Sequence, residues 1–433
     1  MKFPQLYLAA ILLSVINNVS AQSSEDIIKI DQEGYYTNAP KIAVLTSDYK
    51  TDEYAGGNVG FYILRANIGD TVYKGPLGAI RQSANSSIKT RIADFSAFQQ
   101  SGTYVIYVPG IGDSYPFKIG TGAHNKVAIS VLKGFYFIRS NIPLEEKYAG
   151  KWHRAAGHPD TKVLVHPSAA SKERPAGTII STPGGWYDAG DYNKYVVNSG
   201  ITTGTLLAAY EDFPAYFTEL NANIPESGNK VPDILDEALY NIRWMLSMQD
   251  PNDGGVYNKC TNAAFDGMVM PGITKLPRYV VQKGTAATLD FAAVMAQASR
   301  IFKKYSSTYP GLSDSLLAAA KYAWSWAQKN PAMTYNQNTI NQQFEPKITT
   351  GGYGDRDFTD ELFWAAAELF GTSGKRMYYD TLSKYLIDSV RLPSWGNVRT
   401  LGIYTLVRLK NSLPSFAKNS AEDLSEKTVA FAD

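Results

Sequence analysis

Two aspartates three residues apart, Asp188 and Asp191, lie in the glycine-rich aromatic stretch Gly184-Gly185-Trp186-Tyr187-Asp188-Ala189-Gly190-Asp191. Glycine lets a backbone turn tightly and approach a ligand. Two nearby carboxylates repel, which raises the pKa of one and makes it a better base. A water held by one and deprotonated by the other is what an inverting glycosidase needs on the far face of a sugar ring. The same string also suits a simple turn or helix cap, because aspartate readily hydrogen-bonds nearby backbone. On these eight residues alone both readings stand.

Other residue types add to the inventory. Aromatic residues make up 12% of the chain, with 29 Tyr, 18 Phe and 7 Trp. Tyr and Trp offer flat apolar faces with a polar edge, which suits sugar rings, although large helical cores use aromatics too. Trp186, Tyr187, Trp364 and Trp395 sit near motif loops or helix ends and are the candidate stacking residues, Tyr187 foremost because it adjoins the aspartates. Asp250, Asp253, Arg278 and Glu226 are secondary candidates, each equally readable as a solvated or structural loop residue.

These side chains must be positioned by two kinds of element. Residues 25–120 read as strands: Ile42–Thr46, 59–64 and 103–108 are β-branched or aromatic runs, separated by turn clusters at 54–58 and 109–113. Six or seven such strands suggest an immunoglobulin-like all-β sandwich. After Gly120 the period becomes helical. Val127, Ala128, Val131, Leu132 and Phe135 share one face, as do Ile234, Leu235, Ala238, Leu239, Ile242, Met245 and Leu246. Further helices are expected over 197–211, 285–303, 314–328, 357–370, 374–388, 397–410 and 419–430, with no strand pattern between them. Eight or nine helices with long Gly- and Pro-rich loops suggest an α/α toroid.

The ordered motifs resemble glycoside hydrolase family 9, the inverting cellulases, in the subgroup with an N-terminal Ig-like domain. In the sandwich the resemblance rests on Ile30-Asp31-Gln32-Glu33-Gly34-Tyr35, Gly102-Thr103-Tyr104 and Ser114-Tyr115-Pro116-Phe117-Lys118-Ile119-Gly120. In the helical region it rests on Gly185 to Tyr192, Ile224-Pro225-Glu226-Ser227-Gly228-Asn229 and Pro232-Asp233-Ile234-Leu235-Asp236-Glu237. It continues in Met248-Gln249-Asp250, Gly254-Gly255-Val256-Tyr257, Thr285-Ala286-Ala287, and Asp360-Glu361 before Phe363-Trp364-Ala365. The resemblance implies an Ig-like domain over 25–120, an incomplete (α/α)6 barrel over 121–433, and β-1,4-glucan bound in an open cleft. It implies Asp191 as catalytic base and Asp188 as holder of the nucleophilic water. Asp360 and Glu361 align with calcium ligands of several family members, and hard carboxylate oxygens suit that ion. Zinc, which some relatives bind around 152–160, is not expected, because Ala155-Ala156-Gly157-His158 carries no cysteine. No other cofactor is implied.

The family's general acid, a glutamate in an Asn-Glu context after a His-rich stretch, has no match here. The four histidines, His124, His153, His158 and His166, all precede the aspartate pair. The chain is therefore read as a C-terminally truncated member that hydrolyses unactivated glucans poorly. Xyloglucan- or oligosaccharide-active relatives and a non-catalytic glycan-binding protein are the alternative readings.

Composition bounds the partners. A net charge of +2 gives no basic excess for nucleic acid. Residues 1–21, with Lys2, an apolar run and Val19-Ser20-Ala21, read as a cleaved signal peptide, so the protein is expected outside the cytoplasm, secreted or periplasmic. No segment is long and apolar enough to span a bilayer. The single cysteine, Cys260, excludes an intramolecular disulfide. The expected partner is a β-glucan polysaccharide or oligosaccharide, met by a monomer.

Overall fold

A computed structural model describes residues 27–46, 60–386 and 390–432. The signal-peptide reading of 1–21 and the turn cluster 54–58 fall outside the described residues. The chain divides into two units, Met1–Ala128 and Ile129–Asp433.

The first unit is two antiparallel sheets. One runs β1 (Ile28–Lys29), β2 (Ile42–Thr46), β6 (Lys89–Asp94), β5 (Arg81–Gln82). The other runs β4 (Thr71–Pro76), β3 (Gly60–Arg65), β7 (Gly102–Val108), β8 (Gly112–Asp113), with β9 (Phe117–Ile119) also on β7. Alternate positions point inward, as a two-residue period demands. Phe61, Ile63, Ala93, Phe95, Ile106 and Phe117 form the core. Tyr35 meets Phe95 and Phe117 edge-on at 5.0 and 5.3 Å. More strands are present than the six or seven expected, because β1, β5 and β8 are only two residues long and leave no periodic trace.

The second unit is built on eight long helices among the described residues: α1 (Asn125–Phe137), α2 (Val196–Asp212), α3 (Asp233–Ser247), α4 (Thr285–Phe302), α5 (Leu312–Lys329), α6 (Thr359–Ser373), α7 (Arg399–Leu409) and α8 (Ser415–Ala432). Helix α1 begins just before the division between the units. Every residue of α4 except Arg300 is buried, so this helix is the centre of the layer. It packs against α2, α5 and α6. Small residues let backbones close in. A Cβ on Gly204 of α2 would stand 2.6 Å from the Trp364 ring of α6, and one on Gly402 of α7 would stand 2.9 Å from Phe363. The helix expected over 374–388 is shorter, Arg376–Leu382 followed by a 3-10 turn to Tyr385, and residues 387–389 are outside the described set.

The expectation of no strands between the helices is corrected. A five-stranded sheet runs β11 (Ile179–Ile180), β10 (Val163–Val165), β14 (Arg278–Val280), β13 (Lys259–Asn262), β12 (Lys194–Tyr195). Strands of two to four residues carry too few alternations to read from sequence. This sheet holds the loop ends that matter below. Strands β12 and β13 pair antiparallel, with Lys194 opposite Cys260 and Tyr195 opposite Lys259. No helix among the described residues is long and apolar enough to cross a membrane.

Candidate active site

The stretch 184–191 runs between the C-terminal end of α1 and strand β12, and several independent ties hold it. Gly184 and Gly185 have φ of 77° and 81°. A Cβ on Gly185 would stand 2.6 Å from the Trp244 ring, so only glycine fits there. Ser140 N–H donates to Gly185 O, and Tyr187 N–H to Ile138 O, each at 2.9 Å. The buried Lys194 ammonium donates to Thr182 O and Gly184 O at 3.0 and 2.7 Å and pairs with Asp160 at 2.7 Å. The indole N–H of Trp186 donates to Glu237 Oε1 at 2.9 Å. Glu237 in turn accepts from Nε and Nη2 of Arg139, whose Nη1 and Nη2 also reach the two oxygens of Glu226 at 3.0 Å. Arg139 is 0% exposed and Glu237 1%. Burial pushes the Glu237 carboxyl up, against the opposing pull of Arg139.

Both aspartates are half-buried, and each accepts from two side-chain donors. Asp188 Oδ1 accepts from Asn198 Nδ2 at 2.6 Å, and Oδ2 from the Tyr353 hydroxyl at 2.9 Å. Asp191 Oδ2 accepts from Asn193 Nδ2 at 2.5 Å and from the Tyr195 hydroxyl at 2.9 Å. Among the described residues both bonds to Asp191 land on Oδ2, which leaves Oδ1 for a water. Desolvation pushes the Asp188 carboxyl above its ordinary range; its two hydrogen bonds pull it down, and the charge of Asp191 raises it again. A cavity of about 80 Å³ beside Asp188, lined by Phe135, Trp186, Tyr187, Tyr195 and Asn198, has room for water.

The other candidates separate. Trp395 is 43% exposed and meets the Tyr353 ring edge-on at 5.3 Å, so it remains available to a sugar face beside Asp188. Trp364 is corrected: it is wholly buried between α2, α6 and α7, and its indole N–H points to Glu368, so it cannot stack on substrate. Trp186 and Tyr187 are nearly buried; they line the small cavity but offer no open face. The Tyr187 hydroxyl lies 2.9 Å from His158 Nδ1. Asp250 and Asp253 bind the Lys283 ammonium, Arg278 is paired with Asp160, and Glu226 holds Arg139, all structural ties.

Asp360 and Glu361 open α6 and face a third carboxylate, Asp290 of α4. Both Asp290 oxygens and Glu361 Oε2 are buried without a hydrogen-bond partner. Burial pushes all three carboxyls up, Glu361 to about 11; the charge of Asp360 adds to the rise at Asp290 and Glu361, whereas Asp360 itself is pulled back by hydrogen bonds and raised further only by the charge of Asp355. Asp360 Oδ2 accepts from Val398 N–H at 2.7 Å. Orphaned hard oxygens of this kind fit calcium chemically. Among the described residues no three acidic, histidine or cysteine side chains converge on one point, so backbone or water oxygens would have to complete the shell.

Residues 124–432 match Glycosyl hydrolase family 9, and residues 23–113 match the Cellulase N-terminal ig-like domain. The chain belongs to glycosyl hydrolase family 9. It is 46% identical over 408 residues to a xyloglucan-specific endo-β-1,4-glucanase of Bacteroides ovatus, covering 94% of this chain and 68% of that protein. It is 32% identical over 386 residues to endoglucanase D of Acetivibrio thermocellus, covering 87% of this chain and 57% of that protein. The solved structure of a Bacteroides ovatus family 9 protein superposes with a TM-score of 0.85 over 94% of this chain and 73% of that one. A metagenome-derived family 9 endoglucanase superposes at 0.77, with 30% identity, 93% of this chain and 71% of that chain. The family 9 chain thus spans between about half and three quarters of the length of these relatives.

The sequence of this family 9 chain singles out the two aspartates but not the side chains that donate to them. Asn193, Tyr195 and Asn198 stand within ten residues of Asp188 and read only as polar positions of a loop and helix start. Tyr353 is 165 residues away from its partner. Its one signal is the Gly351-Gly352-Tyr353-Gly354 cluster, in which Tyr353 itself takes a φ of 47°.

Proposed function

We propose that this chain carries the base side of an inverting hydrolytic site for β-1,4-glucans, with Asp191 as general base and Asp188 as the second carboxylate holding the water. The observation that carries the reading is the unequal engagement of the pair. Asp188 has both oxygens fixed by donors, whereas Asp191 is fixed through Oδ2 alone, and among the described residues no side-chain donor reaches its Oδ1. A water set by Asp188 and oriented to Asp191 Oδ1 attacks the anomeric carbon as Asp191 takes its proton. Trp395 supplies the exposed ring against which a glucosyl unit stacks beside the pair. A protein that only bound glycan would have no use for four side-chain donors aimed at two carboxylates.

The 46% identical relative, named for xyloglucan, makes that polysaccharide the first one to test, ahead of unbranched cellulose. Asp360 and Glu361 would be the carboxylate ligands of a structural calcium, with backbone or water oxygens completing its shell, and its positive charge would offset the nearby buried Asp290. Export outside the cytoplasm rests on the composition of residues 1–21.

Asp191→Asn tests the assignment. The substrate of choice is β-cellobiosyl fluoride, whose leaving group departs with little help from a protein acid. The substitution is expected to lower fluoride release by about 10²- to 10⁴-fold while glucan binding, measured calorimetrically, stays within about threefold. A variant that keeps most of its rate refutes Asp191 as the base.

A further inference from the structure

Lys259 is a lysine in an unusual place. It opens β13, is fully buried, and among the described residues no carboxylate pairs with it. Its ammonium donates instead to Gln337 Oε1 at 2.7 Å, Thr350 Oγ1 at 3.0 Å and Gly351 O at 2.6 Å. It also lies over the rings of Tyr195 and Tyr335, 5.5 Å from each centroid. Burying an ammonium among neutral acceptors is costly, and a methionine would fill the same space without that cost. The position therefore calls for a reason beyond packing.

The contacts beyond Lys259 supply one. Gly351, whose carbonyl it clamps, donates its N–H to the Tyr195 hydroxyl at 3.1 Å. That hydroxyl, with its acceptor side occupied, directs its own proton to Asp191 Oδ2 at 2.9 Å. Tyr195 is also the residue opposite Lys259 in the β12–β13 register. Lysine, glycine peptide, tyrosine and aspartate thus form a continuous chain of contacts. Two residues on from Gly351, Tyr353 fixes the other aspartate.

We propose that Lys259 is a positioning residue for the base. By clamping Gly351 and lying over Tyr195, it sets the direction of the Tyr195 O–H and so the rotation at which Asp191 presents Oδ1. The proposal rests on the reading of Asp191 as base. Burial lowers the Lys259 ammonium to about 7, with Asp191 the one charge that pulls it back up, in keeping with a cation that answers to that carboxylate.

The test is a double-mutant cycle on the full chain with β-cellobiosyl fluoride. Lys259→Met is expected to lower kcat by about 10- to 100-fold with the Kd for cellotetraose within about threefold, and Tyr195→Phe to do the same. Because Lys259 acts through Tyr195, adding Lys259→Met to Tyr195→Phe is expected to cost less than about threefold more. Multiplicative losses, or a loss that falls on binding instead of kcat, overturn the proposal. Should the melting profile show that Lys259→Met does not fold, Lys259→Asn, whose amide is too short to bring a donor to Gly351 O, carries the same cycle with the same two readings. Asp191→Asn run in parallel separates the two levels of failure: full activity there removes the base assignment itself, whereas an inactive Asp191→Asn with additive Lys259 effects removes only the relay.

Discussion

Removing the Arg139 guanidinium should be among the most costly single changes in the helical unit, and the cost should be recoverable. Arg139 is 0% exposed and Glu237 1%, so Arg139→Met strands a carboxylate in the interior. Breaking a buried pair from one side costs about 3–5 kcal/mol, mostly as the penalty of the orphaned charge. Glu226 adds little to that figure, because it is 33% exposed and can turn to water. Adding Glu237→Gln removes the stranded charge while keeping an acceptor for Trp186, so the double variant is expected to be more stable than Arg139→Met alone by about 2 kcal/mol. The assay is urea unfolding followed by tryptophan fluorescence, which reports on this unit because all seven tryptophans follow residue 151. pH supplies a second readout. Burial already holds the Glu237 carboxyl above the ordinary glutamate value, and loss of Arg139 raises it further. A raised folded pKa gives stability that is present below the unfolded value and lost as pH rises. The deficit of Arg139→Met should therefore be largest near pH 8 and shrink toward pH 5. A cost below about 1 kcal/mol, or no recovery with Glu237→Gln, would refute the reasoning.

Two of the three tryptophans first grouped as stacking candidates, Trp364 and Trp395, should behave oppositely. Trp364→Ala is expected to cost about 3–5 kcal/mol in the same unfolding assay, since it empties the space that Gly204 makes room for. Trp395→Ala should leave stability within about 0.5 kcal/mol and weaken glucan binding in calorimetry; unchanged binding would remove it from the cleft. For the carboxylates around Glu361, millimolar calcium is expected to raise the melting temperature, and Asp290→Asn to shrink that rise. No calcium-dependent shift in the unsubstituted protein would leave the three carboxyls to be neutralised by protons alone.

Much of the architecture was legible because it is written in long periods. Helices such as α3 and α4 repeat their apolar positions over four or more turns, and their bounds fall within one or two residues of expectation. The sheet β10–β14 was not legible, since Lys194–Tyr195 or Ile179–Ile180 cannot show a period in two residues. Trp364 illustrates a different limit. Its place in Phe363-Trp364-Ala365 beside the motif Asp360-Glu361 drew it toward the site, but depth in a helix bundle depends on what the neighbouring helices offer, here Gly204. The aspartates could be found because their signal is local. Tyr353, Lys259 and Gly351 could not, because their importance lies in pairings across 92 to 165 residues.

The register that sets Tyr195 opposite Lys259 also bears on how such a site changes over time. On the proposed reading, the parts that aim the base meet through main-chain pairing and through one half-buried glycine peptide. The exposed ring of Trp395 touches that circuit only through Tyr353. Substitutions that retune which glucan is preferred can therefore accumulate on the cleft surface without disturbing the proton acceptor. A lineage can drift between branched and unbranched polysaccharides while inheriting one unchanged hydrolytic core, and a designer can graft new cleft loops onto it on the same terms.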